Sequence, residues 1–599
     1  MSGWAELAAD LANAEAVRAV KRLQHVWGHY AEAGDLAALA ELFARDGRLV
    51  LPPAEAQGRD AILALLGETM GQGDAAPGPG VLNVRLMMSP VVSIAADGLS
   101  AQGRWHEVAM TGRDGATARW SGGIHENLYV LEEGAWKIAA LRYHPQYAGD
   151  YAEGWNNVSD AVPLVPFHFT PDSAGIPVPP EPGLDDGSDP AALAARAQRL
   201  VDEGLIQNLQ AAYGQYCDRK MWDDIADLFD ADGMLEVAGE GAWSGPAAIR
   251  AGLELFGPAG LRHGEFFDHL QLMPVVTIAK DGTSAELRAI ELQMLADHGG
   301  RGFWGIRIAE ARLAKAGGVW RFAALKLTPR LRADYALGWA DGLEPLAGGV
   351  AGYPEARGPA IGFAHPVRDP APAALPVADP VLDAARTALA VGKAFDGAEN
   401  VACAYGYFLD EAHWDESAEL FARDGWKELS FIGTYIGRER IRDSLVGRYG
   451  RNGRRPTFLP IHQKTQPYVS VSPDGQRAQI RLKMFQVNSA WEGEGSTIAG
   501  LYEEQAVIED GIWRIHGMDL EYIVLSNYRT GPAGVEPGLA YKFSPTPEAI
   551  AAFEPRPDGP LRGLPVAPYP DIGPLGFHYA NPVSGREPAL RFHWSDGRF

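Results

Sequence analysis

The sequence predicts an α+β protein built from three tandem copies of one domain. The main observation is a pattern in which an aromatic-glycine pair is followed, at constant spacing, by Leu-Phe and then Asp-Gly. Its three occurrences are Trp27-Gly28, Leu42-Phe43, Asp46-Gly47; Tyr213-Gly214, Leu228-Phe229, Asp232-Gly233; and Tyr405-Gly406, Leu420-Phe421, Asp424-Gly425. Helix signals come before strand signals in each copy. A pattern that recurs at a spacing of about one domain length indicates separate domains of one fold.

The helices come first in each copy. Asp189-Pro190 and Asp379-Pro380 are typical helix starts, because Asp accepts hydrogen bonds at the N-cap and Pro fits the first helical turn. The apolar spacing predicts a long helix ending near Asp218 or Asp410, then a shorter one over 222–229 and 414–421. A third helix is expected directly after three equivalent glycines, Gly58, Gly245 and Gly437.

Strands fill the second half of each copy. Runs rich in β-branched residues begin at Pro90, Pro274 and Pro467. Each run is followed by an Asp-Gly pair (97–98, 281–282 and 474–475), which suits a tight hairpin turn. Helices followed by antiparallel strands predict an α+β domain in which helices cover one face of a curved sheet.

Composition and charge narrow the class of protein. A net charge of −24 and a pI near 5.1 argue against nucleic acid or a membrane surface as partner, because phosphate binding needs clustered Lys and Arg. The N-terminal stretch lacks the basic segment and apolar run of a signal peptide, and no apolar run is long enough to span a bilayer. Cys217 and Cys403 stand at non-equivalent positions, so no disulfide framework is expected. We therefore expect a cytoplasmic protein.

A more specific pattern surrounds the repeated pairs. A Tyr stands five residues before an Asp, a Trp follows the Asp by four, and a His-bearing strand and an Asp-Gly hairpin come later. This pattern resembles the SnoaL-like branch of the NTF2-like superfamily. The resemblance implies three tandem NTF2-like, cone-shaped α+β barrels, each with one mostly apolar pocket. That family includes dehydratases such as scytalone dehydratase and bile-acid dehydratase, isomerases, cyclases and proteins without catalysis, so the fold alone does not settle function.

The repeating unit extends beyond the fold. Asp150-Tyr151 recurs as Asp334-Tyr335 and, more weakly, as Asn527-Tyr528, and Pro-rich tracts with similar aromatic motifs follow: Phe167-His168-Phe169, 362–367 and 576–583. We expect ordered arms that lie over a neighbouring domain and close its pocket; a plain Pro-rich spacer is the alternative. The predicted domains span 1–155, 189–340 and 379–530, and the predicted arms span 156–188, 341–378 and 531–599.

The resemblance also implies a pocket with a Tyr, an Asp and a His. The matching residues are Tyr405, Asp410 and His462 in the third copy, and Tyr213, Asp218 and His269 in the second. A His can remove a proton, an Asp can fix its tautomer, and a Tyr hydroxyl can donate to a departing oxygen. Helical periodicity alone does not join Tyr and Asp, because residues five apart point about 140° away from each other. The alternative is a packed Tyr, a capping Asp and a structural His.

The first copy departs from this set. Trp27, Glu32 and Arg85 replace the Tyr, Asp and His, so this copy is expected to be structural or to hold an anionic group. His25 and His29 share a helix face with Glu32, but no third ligand stands at a known spacing, so no metal site is predicted. The sequence lacks a G-x-G-x-x-G motif, a P-loop, a G-x-S-x-G elbow and paired C-x-x-C motifs, so no cofactor is predicted.

Four aromatic residues are candidates for the substrate pocket, namely Trp120, Trp304, Trp491 and Tyr502. They suit an aromatic or polycyclic ligand, although strands also favour aromatic residues for packing alone. We therefore expect cofactor-independent dehydration of a hydroxylated aromatic or polycyclic small molecule. An isomerase, cyclase or retro-aldol lyase with the same pocket is an alternative, and so is a non-catalytic binding or scaffold protein. Domains that pair sheet to sheet would leave one of three unpaired, which predicts a homodimer through that domain.

Overall fold

A computed structural model describes residues 3–70, 80–178, 189–346, 379–430, 432–536, 552–562, 567–573 and 575–592. The first repeat contains α1 Gly3–Ala33, α2 Leu36–Glu41, β1 Phe43–Leu51, β2 Ala54–Gln57, α3 Arg59–Met70, β3 Val81–Ile94, β4 Ser100–Arg113, β5 Thr117–Glu132, β6 Ala135–Asp150, β7 Asn156–Asn157 and α4 Pro171–Ala174. The second contains α5 Pro190–Cys217, α6 Trp222–Asp227, β8 Phe229–Val237, β9 Gly241–Ser244, α7 Pro246–Leu253, β10 Glu265–Ile278, β11 Ser284–Asp297, β12 Gly302–Ala316, β13 Val319–Asp334 and α8 Gly338–Asp341. The third contains α9 Asp379–Asp410, α10 Trp414–Glu419, β14 Phe421–Leu429, β15 Gly433–Ile436, α11 Arg438–Tyr449, β16 Phe458–Val471, β17 Arg477–Ala490, β18 Ser496–Glu509 and β19 Ile512–Asn527. Short 3-10 turns cover Glu254–Phe256 and Pro532–Gly534.

The three repeats share one sheet topology, which confirms three tandem NTF2-like α+β cones. In the second repeat the strand order is β9-β8-β13-β12-β11-β10, and the other two sheets follow the same path, with β7 added beside β6 in the first. Four of the strands form the expected antiparallel meander. The strand directly after the second helix runs parallel to the last one, as β8 does beside β13. The sequence had suggested helix over the first residue of this strand, Phe229, so the sheet is mixed rather than purely antiparallel.

The long helices hold the repeats together at their N-terminal ends. Apolar residues of α1, α5 and α9 form one buried cluster that includes Leu7, Leu11, Leu193 and Leu389. Ion pairs run between the same helices, as from Lys393 Nζ to Asp10 Oδ1 at 2.7 Å. A helix that is apolar along one face buries that face against its neighbours. The three helices therefore form a bundle from which the three cones extend.

A bulge in each sheet contacts the long helix of another repeat. The residue before the strand proline has a left-handed backbone in all three copies, with φ of 56° at Ser89, 52° at Met273 and 55° at Gln466. The Tyr407 hydroxyl of the third repeat donates to the Ser89 carbonyl of the first at 2.9 Å. Gln466 of the third repeat in turn donates to the Ala211 carbonyl of the second at 2.9 Å. These contacts follow one another around the molecule as in a pseudo-threefold trimer.

Three tyrosines of the repeated Asp/Asn-Tyr motif close this arrangement. The Tyr151 hydroxyl donates to the Tyr335 carbonyl at 2.6 Å, and the Tyr335 hydroxyl donates to the Tyr528 carbonyl at 2.9 Å. The Tyr528 hydroxyl donates to the Tyr151 carbonyl at 2.6 Å, which completes a ring. Each repeat therefore packs against both others. No repeat is left over in the way that the homodimer prediction assumed, and dimerisation itself stays a prediction.

The described parts of two arms are ordered against the sheets of the first and third repeats. His168 contacts the Glu126 carboxylate, and the Arg104 guanidinium lies 4.3 Å from the Phe167 ring centroid. His578 repeats this contact with Glu503 at 2.8 Å. Both arms cover the outer face of a sheet. The corresponding motif at 362–367 lies outside the described residues. No helix in the described ranges is long and apolar enough to cross a membrane.

Candidate functional site

The second repeat contains a cavity of about 220 Å³ between its sheet and its helices. Tyr213 on α5 and His269 on β10 both line this cavity, together with Cys217 at the end of α5. Most of the remaining wall is apolar, with Trp222 and Phe267 as its largest side chains. A mostly apolar pocket with a few convergent polar groups is the usual form of a small-molecule site.

Asp218 does not complete the predicted trio in this repeat. Its Oδ1 accepts a hydrogen bond from the backbone N–H of His269 at 2.7 Å, whereas the His269 Nδ1 atom lies 3.9 Å from that oxygen. Its Oδ2 lies 2.7 Å from Lys483 Nζ of the third repeat, which also pairs with Asp268. Asp218 is the C-cap of α5, where the chain turns away from the cavity. The carboxylate therefore holds the strand that carries His269 and not the imidazole ring.

Burial sets the protonation of the groups around this cavity. It lowers the pKa of His269 well below its ordinary value, with Arg307 and Lys483 adding to the effect, so the imidazole is neutral near pH 7. It raises the pKa of Tyr213 well above 10, so the phenol keeps its proton. Burial also raises the pKa of Asp218 to about 7, against the opposing charge of Lys483. A neutral base and a protonated donor thus line the same cavity.

The third repeat has the dyad that the second lacks. His462 Nδ1 contacts Asp410 Oδ1, and the His462 backbone N–H donates to Asp410 Oδ2 at 2.9 Å. A cavity of only about 10 Å³ adjoins Asp410, and it lies between the first and third repeats. That volume is about the minimum for one water molecule. The cavity that Asp410 lines therefore has no space for a substrate.

Charged side chains fill the inside of the third repeat next to Tyr405. Lys464 pairs with Glu504 at 2.5 Å, and its Nζ lies 4.0 Å from the Tyr502 ring centroid and 5.1 Å from that of Tyr405. Burial lowers the pKa of Lys427, on β14 of the same sheet, to about 8. Sequence reasoning missed Lys427 and Lys464, although a charge at an inward position of an alternating strand was a usable signal.

The first repeat replaces the trio with ion pairs. Arg85 Nη1 donates to Glu107 Oε1 at 2.8 Å, and Glu107 Oε2 contacts His125 Nε2 at 2.9 Å. Glu32 pairs with Arg330 of the second repeat. Trp27 is fully buried in the core. The Arg85 charge is thus balanced inside the protein.

The histidines of α1 contact the backbone of the second repeat. His25 Nδ1 lies 2.9 Å from the Pro274 carbonyl oxygen, and His29 Nε2 lies 2.9 Å from that of Met273. Burial lowers the pKa of His25 to about 4 and that of His29 to about 3. Elsewhere, the ligand oxygens of three carboxylates lie within 4.8 Å of one another on the third sheet, namely Glu428, Asp519 and Glu521. That cluster is separate from the cavity.

The four candidate aromatic residues lie away from this cavity. Trp120 and Trp304 belong to the aromatic cluster between repeats, with ring centroids 5.3 Å apart, and Trp304 Nε1 donates to the Tyr151 hydroxyl at 3.0 Å. Tyr502 is buried inside the third repeat. Trp491 is 40% exposed. The aromatic wall of the second repeat consists instead of Trp222, Phe256 and Phe267.

Comparison with known families finds one match in each repeat. The model of the SnoaL-like domain matches residues 12–142, 198–326 and 397–519, which together exceed half of the chain. No curated protein matches.

Solved structures similar to this chain cover about one repeat each. A candidate scytalone dehydratase from Novosphingobium aromaticivorans is 20% identical, covers 22% of this chain and 86% of its own, and has a TM-score of 0.20. ActVI-ORFA from Streptomyces coelicolor is 16% identical, covers 21% of this chain and 95% of its own, and has a TM-score of 0.19. An NTF2-like protein with a cystatin-like fold from Novosphingobium aromaticivorans is 23% identical, covers 22% and 80%, and has a TM-score of 0.18.

Proposed function

The chain belongs to the SnoaL-like domain family, and from that premise we propose that its second repeat catalyses a cofactor-independent acid–base reaction on a small molecule. The observation that carries the proposal is the cavity in which neutral His269 and protonated Tyr213 line one apolar space. The family includes dehydratases and isomerases that act on small molecules, which supports this class of reaction. We infer dehydration of a hydroxylated aromatic compound as its simplest form.

The proposed reaction needs only groups in the cavity and the substrate. His269 removes a proton from a saturated carbon next to the saturated carbon that carries the hydroxyl group, outside any aromatic ring of the substrate, and the C–H electron pair forms a double bond. The C–O bond breaks, and its electron pair leaves with the hydroxyl oxygen. Tyr213 donates a hydrogen bond to that oxygen as charge develops, and the imidazolium returns the proton, so water leaves and His269 is neutral again.

Volume limits the substrate of this cavity. An apolar cavity of about 150 Å³ binds benzene. The cavity here, of about 220 Å³, therefore favours one substituted ring over the polycyclic compounds that the sequence left open. Isomerisation, cyclisation and retro-aldol cleavage begin with the same proton removal and stay alternatives.

The third repeat is the weaker candidate for the reaction. Its His462–Asp410 dyad has an orienting carboxylate, but Lys464 and Glu504 occupy the space beside Tyr405. A ligand bound in this space would have to displace the Lys464–Glu504 ion pair, and leaving these buried charges unpaired costs several kcal/mol. We propose that the third repeat is structural and that its dyad stabilises the contact with the first repeat.

A substrate screen tests this proposal. The full chain is incubated with hydroxylated one-ring compounds, and loss of water is followed by mass spectrometry. We expect turnover by the wild type, about 10²-fold to 10⁴-fold less by His269→Gln, and a smaller loss with Tyr213→Phe. Full turnover by His269→Gln would overturn the site assignment. Tight binding without any product would favour the non-catalytic class.

A further inference from the structure

Two arginines distinguish the cavity of the second repeat from the equivalent space in the other two. Arg307 on β12 and Arg332 on β13 both line it. The corresponding residues of the first and third repeats are uncharged: Gly123 and Gly500 for Arg307, and Ala148 and Leu525 for Arg332. The strand pairing supports this equivalence, because Arg307 faces Glu291 as Gly123 faces Glu107. Arginines at these two strand positions are thus confined to one copy.

Neither guanidinium forms a close ion pair with a carboxylate within the described residues. Arg307 is only 11% exposed, and its nearest carboxylate oxygens are at 3.5 Å on Glu291 and 3.8 Å on Glu240. Glu291 already accepts hydrogen bonds from Gln271 at 2.8 Å and from Gln293 at 3.0 Å. A close ion pair of an arginine would place N and O about 2.7–2.9 Å apart. The Arg307 contacts are therefore loose.

Arg332 lies at the rim of the cavity with its charge uncompensated at short range. Within the described ranges it makes no ion pair at 4.0 Å or less. Its guanidinium carbon lies 4.6 Å from the ring centroid of Phe303, which holds the side chain by a cation–π contact. The lining includes no carboxylate at all among the described residues. An apolar cavity with two cations and no anion in its wall is electrostatically suited to an anionic ligand.

We propose that this cavity binds a one-ring aromatic carboxylate, with the ring between the apolar walls and the carboxylate held by Arg307 and Arg332. The inference rests on the cavity that we assign as the reaction site, and it names the class of substrate. A volume of about 220 Å³ accommodates one ring and a carboxylate. The planar guanidinium groups match carboxylate geometry, which a lysine would not. On this proposal, the cavity of the second repeat binds aromatic carboxylates in preference to neutral aromatic compounds.

Benzoate and its neutral isostere benzamide test the charge requirement. Binding of each to the full chain is measured by isothermal titration calorimetry. We expect benzoate to bind at least about tenfold more tightly than benzamide, since hydrogen bonds to charged groups contribute more than neutral ones. Equal affinity, or preference for benzamide, would overturn the inference.

Matched variants locate the binding site. Arg332→Met should weaken benzoate about threefold to tenfold and leave benzamide nearly unchanged, since this arginine is exposed at the rim. Arg312→Met is the control, because Arg312 is exposed on β12, the strand of Arg307, and does not line the cavity. Removing the Arg307 charge would leave buried Glu291 uncompensated, so Arg307 is tested by Arg307→Lys. This variant keeps the positive charge but loses the planar guanidinium, and it should lower the affinity for benzoate. Equal effects of Arg332→Met and Arg312→Met would contradict the assignment.

The inference and the proposed function can fail separately. His269→Gln should retain benzoate binding, because the imidazole is not assigned to the carboxylate. If Arg332 governs benzoate affinity while His269→Gln keeps full turnover, the anion site stands and the catalytic role of His269 fails. If His269→Gln abolishes turnover of a neutral substrate and benzoate does not bind, the reaction site stands and the acid specificity fails.

Discussion

Replacing Tyr151 by phenylalanine should destabilise the protein about twice as much as replacing Tyr335. The Tyr335→Phe change removes one hydrogen bond of the tyrosine ring, to the Tyr528 carbonyl, and keeps the aromatic packing. The Tyr151→Phe change removes the bond to the Tyr335 carbonyl and also the acceptor of the Trp304 indole N–H, at 3.0 Å. The second variant therefore leaves two buried polar groups without a partner where the first leaves one.

The size of these effects follows from the cost of an unsatisfied buried group. One such group costs about 1–3 kcal/mol of the free energy of unfolding, so we expect that loss for Tyr335→Phe and about 2–6 kcal/mol for Tyr151→Phe. At about 2.1 cal/mol/K of unfolding entropy per residue, a 599-residue chain that unfolds as one unit shifts its Tm by about 1 °C per kcal/mol. The expected decreases are therefore about 1–3 °C and about 2–6 °C.

Differential scanning calorimetry of the full chain measures both shifts. Tyr569→Phe is the matched control, because the Tyr569 hydroxyl has no hydrogen-bond partner among the described residues. It should leave the Tm unchanged. Equal decreases for Tyr151→Phe and Tyr335→Phe, or decreases no larger than that of the control, would refute the role of the tyrosine ring in joining the three repeats.

Three further predictions concern the charges behind the cavity. Lys483→Met leaves Asp218 and Asp268 without their shared cation and should cost about 3–5 kcal/mol in urea denaturation, whereas a loss below about 1 kcal/mol would contradict that pairing. The Asp218 pKa of about 7 lies above its ordinary value near 3.8, so its ionisation opposes folding and its contribution to stability falls as pH rises through that interval. The free energy of unfolding of Asp218→Asn relative to wild type should therefore improve between pH 4 and pH 7, and an unchanged difference would count against a raised pKa. Because the pKa of His269 is well below 6.5, turnover should stay level from pH 8 to pH 6.5, and a loss with a midpoint at or above 6.5 would rule out this neutral base.

Local sequence patterns predicted most of the elements. Gly245 and Gly437 precede the third helix with φ of 80° and 85°, a conformation that glycine adopts without strain, and the expected helices begin at the next residue. The Asp281-Gly282 turn joins β10 and β11 as expected. The strand from Phe229 was missed, because its pairing partner β13 lies about ninety residues later and nothing local marks a parallel edge.

The candidate site could be predicted only in part. The resemblance located Tyr213 and His269, which share the cavity. It did not reveal that Asp218 pairs with Lys483 of another repeat, because this depends on how the cones pack around the axis. The same packing explains Trp120 and Trp304, which contact each other across two repeats instead of a ligand. Side chains between repeats carry no periodic signal that separates them from pocket residues.

The most direct test of the central claim compares the two histidines on one substrate. His269 and His462 are equivalent in sequence, but only His269 lines a cavity large enough for a ligand among those found in the described residues. The measurement is kcat/KM of His269→Gln and of His462→Gln, with circular dichroism to verify that both fold. We predict a decrease of about 10²-fold or more for His269→Gln and less than about threefold for His462→Gln. The reverse order, or equal decreases, would contradict the assignment of the reaction to the second repeat.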